Sequence, residues 1–455
     1  MKKLSFENIR GPIGFFGIGR SNLSLISMLP RGADIVLRSD KPIGAGAHRE
    51  IERLKERGQL GTVKIFEEQG ALRDIEEQIL VVSPSVRRNR TELISAMERG
   101  VQITSDAELF FERARGCLLA VSGSSGKSTT ASLAHRMLRT SRKCALCGNI
   151  GRPMLEAIDD TVEAYVCELS SFMLLYHKAQ LSRSVITNIS PNHLDWHESF
   201  EEYARAKLKL AALSRELVIS ADDEISLSSL REHCFAAFSS RLALSELIKL
   251  MRAEIYIHID DGFICRNGER LIHKSALVRR EEHNIRNLMA AIALTDGYCD
   301  IREALFEAAR FSGLPHRCEK FLSCSGVNYI NSSIDTTPER SAETLRSLGA
   351  SAIVLLGGRG KGLSLDPLIE PLKKYAKAVV AFGEERESIL HAIGDALPII
   401  AARDLGCCIE LAMDMAHEGD TVLLSPAHTS YDEFESFEER GEFFKTYIRN
   451  KIFRR

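Results

Sequence analysis

The stretch "CLLAVSGSSGKSTTASLAH", Cys117 to His135, constrains the fold more than any other part of the chain. A short apolar run passes into a turn of glycines and serines, and the turn passes into a segment with helical character. A strand, a polar turn at its carboxyl end and a helix form the phosphate-loop arrangement, which belongs to parallel sheets covered by helices. Glycines let backbone N–H groups converge on oxyanions, the helix N-terminus adds a favourable dipole, and Lys127 neutralises terminal phosphate charge. Ser128 is the expected magnesium ligand. The usual spacing is G-x-x-x-x-G-K-[ST]. Here Val121 stands where the first glycine belongs, and the pattern contracts to Gly123, Ser124, Ser125, Gly126, Lys127 and Ser128, with Thr129 following.

The same alternation extends to both sides. "IGFFGIGRSNLSLISMLP", "ADIVLRSD" and "QILVVSPSV" read as strands separated by helical patterns, hence a Rossmann-like first domain over 1–105. Gly17 and Gly19 begin a G-x-G-x-x-G turn, but Asn22 occupies the third glycine's place, so a plain strand-to-helix turn is as good a reading as a site. As a site, the turn residues Gly19, Arg20, Ser21 and Asn22 would face a diphosphate, with Ser39 or Asp40 reaching a ribose or base. The central domain, 106–312, has further strands "EAYVCELSS", "RSVITNIS" and "ELVISADD", each ending at a polar residue. Between about 225 and 275, the "DDG" and "NG" turns suggest a small antiparallel hairpin insert. Gly313 and Pro315 punctuate a boundary, after which 313–455 reads as another Rossmann-like sheet closing on a charged helix from about 434 to 449. A chain of 455 residues suits about three domains of roughly 150 residues.

Composition removes several function classes. Sixty basic against 62 acidic residues leave no electrostatic footprint for nucleic acid. No apolar run approaches the roughly 20 residues of a membrane helix, and the N-terminus lacks a sustained apolar region, so a cytoplasmic protein is expected. Eleven cysteines, an odd number scattered through apolar stretches, argue for buried thiols rather than a disulfide framework. Cys144 and Cys147 have a metal-knuckle spacing but lack a second pair suitably placed, and read as structural.

Three residues outside the loop carry chemical promise. Glu168 ends the strand "AYVCE" at the same sheet edge, where a carboxylate can hold a phosphate-bound magnesium, although any strand terminus would look alike. His193 in "TNISPNHLDWH" reaches that edge too, where an imidazole can ligate a metal or touch a transferred phosphoryl group. Lys207 in "EEYARAKLKLAAL" reads, on composition alone, as a solvated lysine.

Taken in order, "GSSGKSTT", "GNIG", "CELSSF", "TNISPNHLDWH", "YARAKLKL", "EEHNIRN", "GLPHRCE" and "LLSPAHTSYDEF" resemble the Mur ligases over nearly the whole chain. The shortened phosphate loop is characteristic of that family. Within it, "CELSSF" and "SPAHTSYDEFESFEERG" resemble the member that adds D-glutamate to UDP-N-acetylmuramoyl-L-alanine. The resemblance implies an ATP-dependent amide ligase working through an acyl phosphate, with ATP, two magnesium ions and a lysine carbamylated by carbon dioxide. Lys207 occupies the carbamylated position. Ser128, Glu168, His193 and carbamylated Lys207 would hold the metals, and Lys127 the phosphates. Asn284 and Asn287 match positions around adenine, and Arg317 matches an arginine that the last domain contributes to ATP. Asn149 and Ser83 match substrate positions, while Thr336, Lys361, Ser430 and Phe437 match those holding D-glutamate. A monomer is expected.

The chain departs from the family pattern in places. "NSSIDTT" puts Ser332 where an aspartate meets the ATP ribose and Ile334 where a lysine stands near the site; Ser85 replaces a glycine, and Asn192 stands where aspartate is common. A different Mur ligase or a folylpolyglutamate synthase-like ligase is the nearest competing reading, followed by a phosphate-loop kinase or nucleotide switch. A nicotinamide oxidoreductase resting on Gly17 and Gly19 leaves "GSSGKST" unexplained.

Overall fold

A computed structural model describes residues 11–453 apart from 85, 194, 195, 350 and 361. The chain divides into two compact units, 1–311 and 312–455. The first contains two sheets. One has five parallel strands in the order Leu60–Glu67, Ala33–Ser39, Ile13–Phe16, Ile79–Val82 and Gln102–Thr104. The earliest strand lies in the middle because each right-handed crossover helix carries the chain outward, first one way and then the other. That reversal opens a crevice at the carboxyl end of Ile13–Phe16, where the Gly17 turn sits.

The second sheet has nine strands in the order Glu269–His273, Phe263–Arg266, Ile255–Asp260, Ala236–Phe238, Ser214–Ser220, Leu181–Ile186, Cys117–Ser122, Ala164–Glu168 and Cys144–Gly148. Its central strands read as continuous apolar runs because helices cover both faces. Leu119, Ala120 and Val121 are fully buried, each large side chain worth about 1.5 to 3 kcal/mol of transfer free energy. The expected insert at 225–275 is narrower than the turn signals suggested. Ala236–Phe238 and Ile255–Asp260 extend the parallel sheet, and only the strands from 255 to 273 form antiparallel pairs. Within "AEIYIHID", Ile255 to His258 are buried in succession, so this strand is covered on both faces and its alternation does not mark an exposed side.

The second unit is a six-stranded sheet in the order Glu319–Cys324, Val327–Asn331, Thr421–Ala427, Ala352–Gly357, Ala376–Phe382 and Ile399–Ala401, antiparallel only in its first pair. The last helix is Phe437–Phe453, starting three residues later than its charge pattern suggested. Before it, the Ser430 carbonyl accepts from the Glu433 and Phe434 amides in a turn, and Ser436 Oγ accepts from the Glu439 amide 3.1 Å away at the helix entrance.

Among the described residues no helix is long and apolar enough to cross a membrane. The eleven cysteines are all free, five buried and six half-buried. Cys144 and Cys147 do not act as a pair: Cys147 Sγ lies 3.7 Å from Cys167 Sγ on the neighbouring strand, and burial pushes the Cys144 thiol up to about 11.

Candidate active site at the central sheet edge

The contracted loop closes tightly because two glycines leave room for polar neighbours. Gly123 has φ +147°, and a Cβ there would stand 1.9 Å from Thr187 Oγ1; Gly126 has φ +79°, and its Cβ would stand 2.2 Å from Asn287 Oδ1. Neither position accepts another residue without moving the strand end or the helix behind it. The adjacent strand grips the loop from the side. The Asn188 side chain accepts from the Ser125 amide at 3.0 Å and donates to the Ser125 carbonyl at 3.0 Å, while Thr187 Oγ1 donates to the same carbonyl at 2.6 Å. With both ends of the turn fixed, the N–H groups at the start of helix Lys127–Leu138 are preorganised toward the space above the sheet edge.

Two lysines converge on the loop. Lys127 Nζ donates to the Gly123 and Ser124 carbonyls, each at 2.9 Å, folding back over the turn. Lys207 Nζ donates to the same Gly123 carbonyl at 2.8 Å from the far side. Lys207 is 1% exposed, so the structure overturns the solvated reading its composition suggested. Burial holds its ammonium well below the usual lysine range; nearby Lys127 pushes the same way, and Glu168 opposes both. The helix Phe200–Leu208 delivers this amine. One turn earlier Tyr203 forms a 2.8 Å hydrogen bond with Ser124 Oγ, and its ring lies 4.6 Å from Lys207 Nζ.

Glu168 is 1% exposed at the end of its strand. Its Oε1 accepts from Asn149 Nδ2 at 3.1 Å, while Oε2 is buried with no hydrogen-bond partner among the described residues. A carboxylate oxygen held dry and unpaired is the mark of a position completed by a ligand. Ser128, 4% exposed, stands in the first turn behind the loop. Among the described residues no three His, Cys, Asp or Glu side chains form a metal-holding group. The oxygen donors of Glu168 and Ser128 suit magnesium, which binds through one or two carboxylates together with water and substrate phosphates. A carbamate on Lys207 would supply a second such oxygen donor.

His193 is exposed, with φ +54°. Its backbone amide donates to Asn192 Oδ1 at 2.9 Å, its carbonyl accepts from the Trp196 and His197 amides, and its ring packs 5.1 Å from Phe172. Asn192 thus shapes the strained turn that presents the imidazole. Behind it His197, 2% exposed, bridges Glu202 Oε2 at 3.2 Å and Ser171 Oγ at 2.9 Å.

On helix Glu282–Thr295, Asn284 donates to Glu281 Oε2 at 3.1 Å, and Asn287 lies beside the phosphate loop, accepting from Thr130 Oγ1 at 3.4 Å. In the five-stranded sheet Asn22, 1% exposed, braces the turn from below, donating to the Gly17 carbonyl at 2.8 Å. Arg20 donates to the Gly151 carbonyl at 3.0 Å, so that turn reaches "GNIG" beside Asn149. Ser39 Oγ accepts from the Lys41 amide, Asp40 pairs with Arg90 at 2.6 Å, and Ser83 begins the loop after Ile79–Val82.

In the second unit Ser430 is 2% exposed, while Arg317, Thr336 and Phe437 are half-buried. Ser332 is fully buried and accepts from the Cys318 amide at 3.2 Å. Lys361 and Ser85 lie outside the described residues. Sequence reasoning missed Tyr203, Thr187 and Asn188. The last two were visible as polar residues closing "SVITN", the signal that flagged Glu168.

Against known proteins, a family model described as the Mur ligase middle domain matches residues 121–295, and one described as the Mur ligase glutamate ligase domain matches 316–428. The UDP-N-acetylmuramoylalanine–D-glutamate ligase of Ruminiclostridium cellulolyticum is 32% identical over 96% of each chain, and that of Clostridium perfringens 31% identical over 98% of each. Among solved structures, the UDP-N-acetylmuramate-alanine ligase of Thermotoga maritima aligns with a TM-score of 0.59 at 17% identity, covering 97% of this chain and 99% of that one. A pseudomurein peptide ligase type C from Methanothermus fervidus aligns at 0.53 and 14% identity, covering 97% and 100%. At such identities the likeness establishes the fold, the three-sheet α/β architecture expected from the sequence.

Proposed function

The chain belongs to the Mur ligase family, and from that premise we propose that it joins D-glutamate to the terminal carboxylate of UDP-N-acetylmuramoyl-L-alanine, forming ADP and phosphate, in peptidoglycan precursor synthesis. It is an ATP-dependent amide ligase, and its family works with ATP and magnesium. The observation that carries the finer reading is a buried amine against the phosphate loop: Lys207, 1% exposed and 2.8 Å from the Gly123 carbonyl. A desolvated lysine at the loop, once carbamylated, becomes an oxygen donor for a metal ion, which supports a reaction that brings two anions together.

A free carboxylate is a poor acyl donor. One of its oxygens attacks the γ-phosphorus, the bond from phosphorus to the bridging oxygen breaks, and ADP leaves with an acyl phosphate behind. The amine of D-glutamate attacks the carbonyl carbon, loses a proton, and the tetrahedral intermediate expels phosphate to leave the amide. Charge stabilisation dominates both steps. Lys127 exchanges its two loop carbonyls for phosphate oxygens, the N–H groups of Gly126 to Thr129 cradle them, and Asn284 and Asn287 contact the rest of ATP. Magnesium, when bound, neutralises phosphate charge; Ser128, Glu168, His193 and carbamylated Lys207 would hold two ions. Glu168 Oε2 and the depressed lysine fit that assignment, because only a neutral amine adds to carbon dioxide.

Residues 1–105 take the UDP portion through Gly19, Arg20, Ser21, Asn22, Ser39, Asp40 and Ser83, assisted by Asn149. Residues 106–312 house ATP, and 313–455 present Thr336, Lys361, Ser430 and Phe437 to D-glutamate. ADP release by the purified chain tests the reading. It should require both UDP-N-acetylmuramoyl-L-alanine and D-glutamate, with L-glutamate inactive; release independent of either substrate overturns it.

A further inference from the structure

The helix carrying Lys207 is held at both ends, and its outer end is held by a residue from the other sheet. Near its carboxyl end Lys207 bonds to the phosphate loop, as Tyr203 does from the first turn. At the outer end Glu202 Oε1 accepts from Arg87 Nη2 at 2.7 Å. Arg87 belongs to the loop that follows Ile79–Val82, four residues beyond Ser83. Its other nitrogen, Nη1, donates to the Trp196 carbonyl at 2.7 Å, its guanidinium lies 5.0 Å from the Trp196 ring centre, and Glu198 Oε1 stands 3.2 Å away. The Arg87 side chain is 21% exposed, so these contacts form in partial exclusion of water. One guanidinium thus grips Trp196, at the end of the turn begun by His193, and the helix that carries Lys207.

Glu202 multiplies the effect. Its second oxygen bonds His197 and the Glu198 amide, at 3.2 and 2.9 Å, and the His197 amide closes on the His193 carbonyl at 2.9 Å. Planar, forked Arg87 meets two acceptors and an aromatic face at once, a geometry lysine cannot reproduce.

We propose that Arg87 is a positioning residue for ligation: it fastens the loop beside the nucleotide-substrate crevice to the His193 turn and to the outer end of the Lys207 helix, fixing the reacting carboxylate's domain against the phosphate loop. This rests on the ligase reading above. Misplacement of reacting groups by about 1 Å costs on the order of 100-fold in rate, so loosening this clamp acts on kcat and leaves ground-state binding nearly intact.

The test pairs kinetics with the fluorescence of Trp196, the chain's single tryptophan. In Arg87→Met, kcat should fall about 10- to 100-fold, with KM for ATP and for the UDP substrate within about threefold of wild type. Acrylamide quenching of Trp196 should rise. Arg87→Lys should recover part of kcat, since it keeps the charge and loses the fork. Unchanged kcat and quenching in a folded variant overturn the proposal, as does a raised KM for the UDP substrate with kcat intact, which would make Arg87 a substrate contact. If Arg87→Met does not fold, Glu202→Gln interrogates the same link with the same outcomes. Wild-type protein without ligation would sink the functional reading, and the quenching comparison would still decide whether Arg87 fixes the Trp196 segment.

Discussion

Of the long cations buried among the described residues, Lys207 and Arg440 are the deepest, at 1% and 0% exposure, one in each compact unit, and their surroundings differ. Arg440, fully buried in the second unit, donates from Nε to Ser333 Oγ at 3.0 Å, from Nη1 to the Thr429 carbonyl at 3.0 Å, and from Nη2 to the Ser333 and His428 carbonyls at 2.9 and 3.1 Å. Burial pulls its pKa down to about 10, which leaves it charged at neutral pH. Lys207 in the first unit donates to the Gly123 carbonyl and has a second lysine nearby, along with a carboxylate whose second oxygen has no hydrogen-bond partner among the described residues. A saturated buried cation ties loops together. An undersatisfied one waits for chemistry, because a desolvated amine with few partners gives up its proton.

The largest expected effect comes from Lys207→Met. Ligation should fall by about 1,000-fold, equivalent to roughly 4 kcal/mol of barrier, while the protein remains folded. Folding stability should hold or rise. The lysine's folded pKa lies below its unfolded value, so the unfolded chain binds the extra proton and the penalty to folding grows as pH falls. The melting advantage of Lys207→Met over wild type should therefore widen toward acid and vanish near the unfolded lysine pKa; a steep loss of stability instead would make Lys207 a second Arg440.

Arg440→Met should behave the other way round, losing about 3 kcal/mol of stability because three carbonyls and a hydroxyl are left without their donor. Denaturant melts read that loss, and a variant as stable as wild type would break the contrast.

A buried base of a third kind sharpens it further. His177, 3% exposed, has its pKa pushed down to about 4 by burial, with Lys209 adding to the shift. Its folded pKa is depressed, so stability is complete above the unfolded value near 6.5 and is lost as pH falls toward 4, by up to about 3 kcal/mol. Wild type should lose more stability than His177→Phe over that window; equal slopes would show that this imidazole is not held neutral.

The smallest effect expected is that of Asn149→Ala. Removing the amide that fixes Glu168 Oε1 should lower kcat about tenfold, and a variant with normal kcat would show that Glu168 orients itself.

Local pattern hid the burial of both cations, although the family resemblance singled out Lys207. "YARAKLKL" and "EERGEFFK" both read as charged helix surface, and local pattern carries no record of what covers a helix. Lys207 meets a carbonyl 84 positions earlier, and Arg440 meets Ser333 across 107 positions. What the sequence did reveal was local: apolar runs ending in polar residues located Glu168 and the phosphate loop at one sheet edge, since strand period and turn chemistry are encoded over a few residues. The hairpin at 255–273 was legible from its turns, whereas the parallel pairing of Ala236–Phe238 with its neighbours was not, because tertiary pairing decides it.

Oxygen tracing addresses the phosphorylated carboxylate most directly. With both carboxylate oxygens of UDP-N-acetylmuramoyl-L-alanine labelled with heavy oxygen, each turnover should deliver one labelled oxygen to inorganic phosphate and keep the other in the new amide. Phosphate released without label would mean that the carboxylate was never phosphorylated, and the ligase mechanism assigned to Lys127, Glu168 and Lys207 would be wrong.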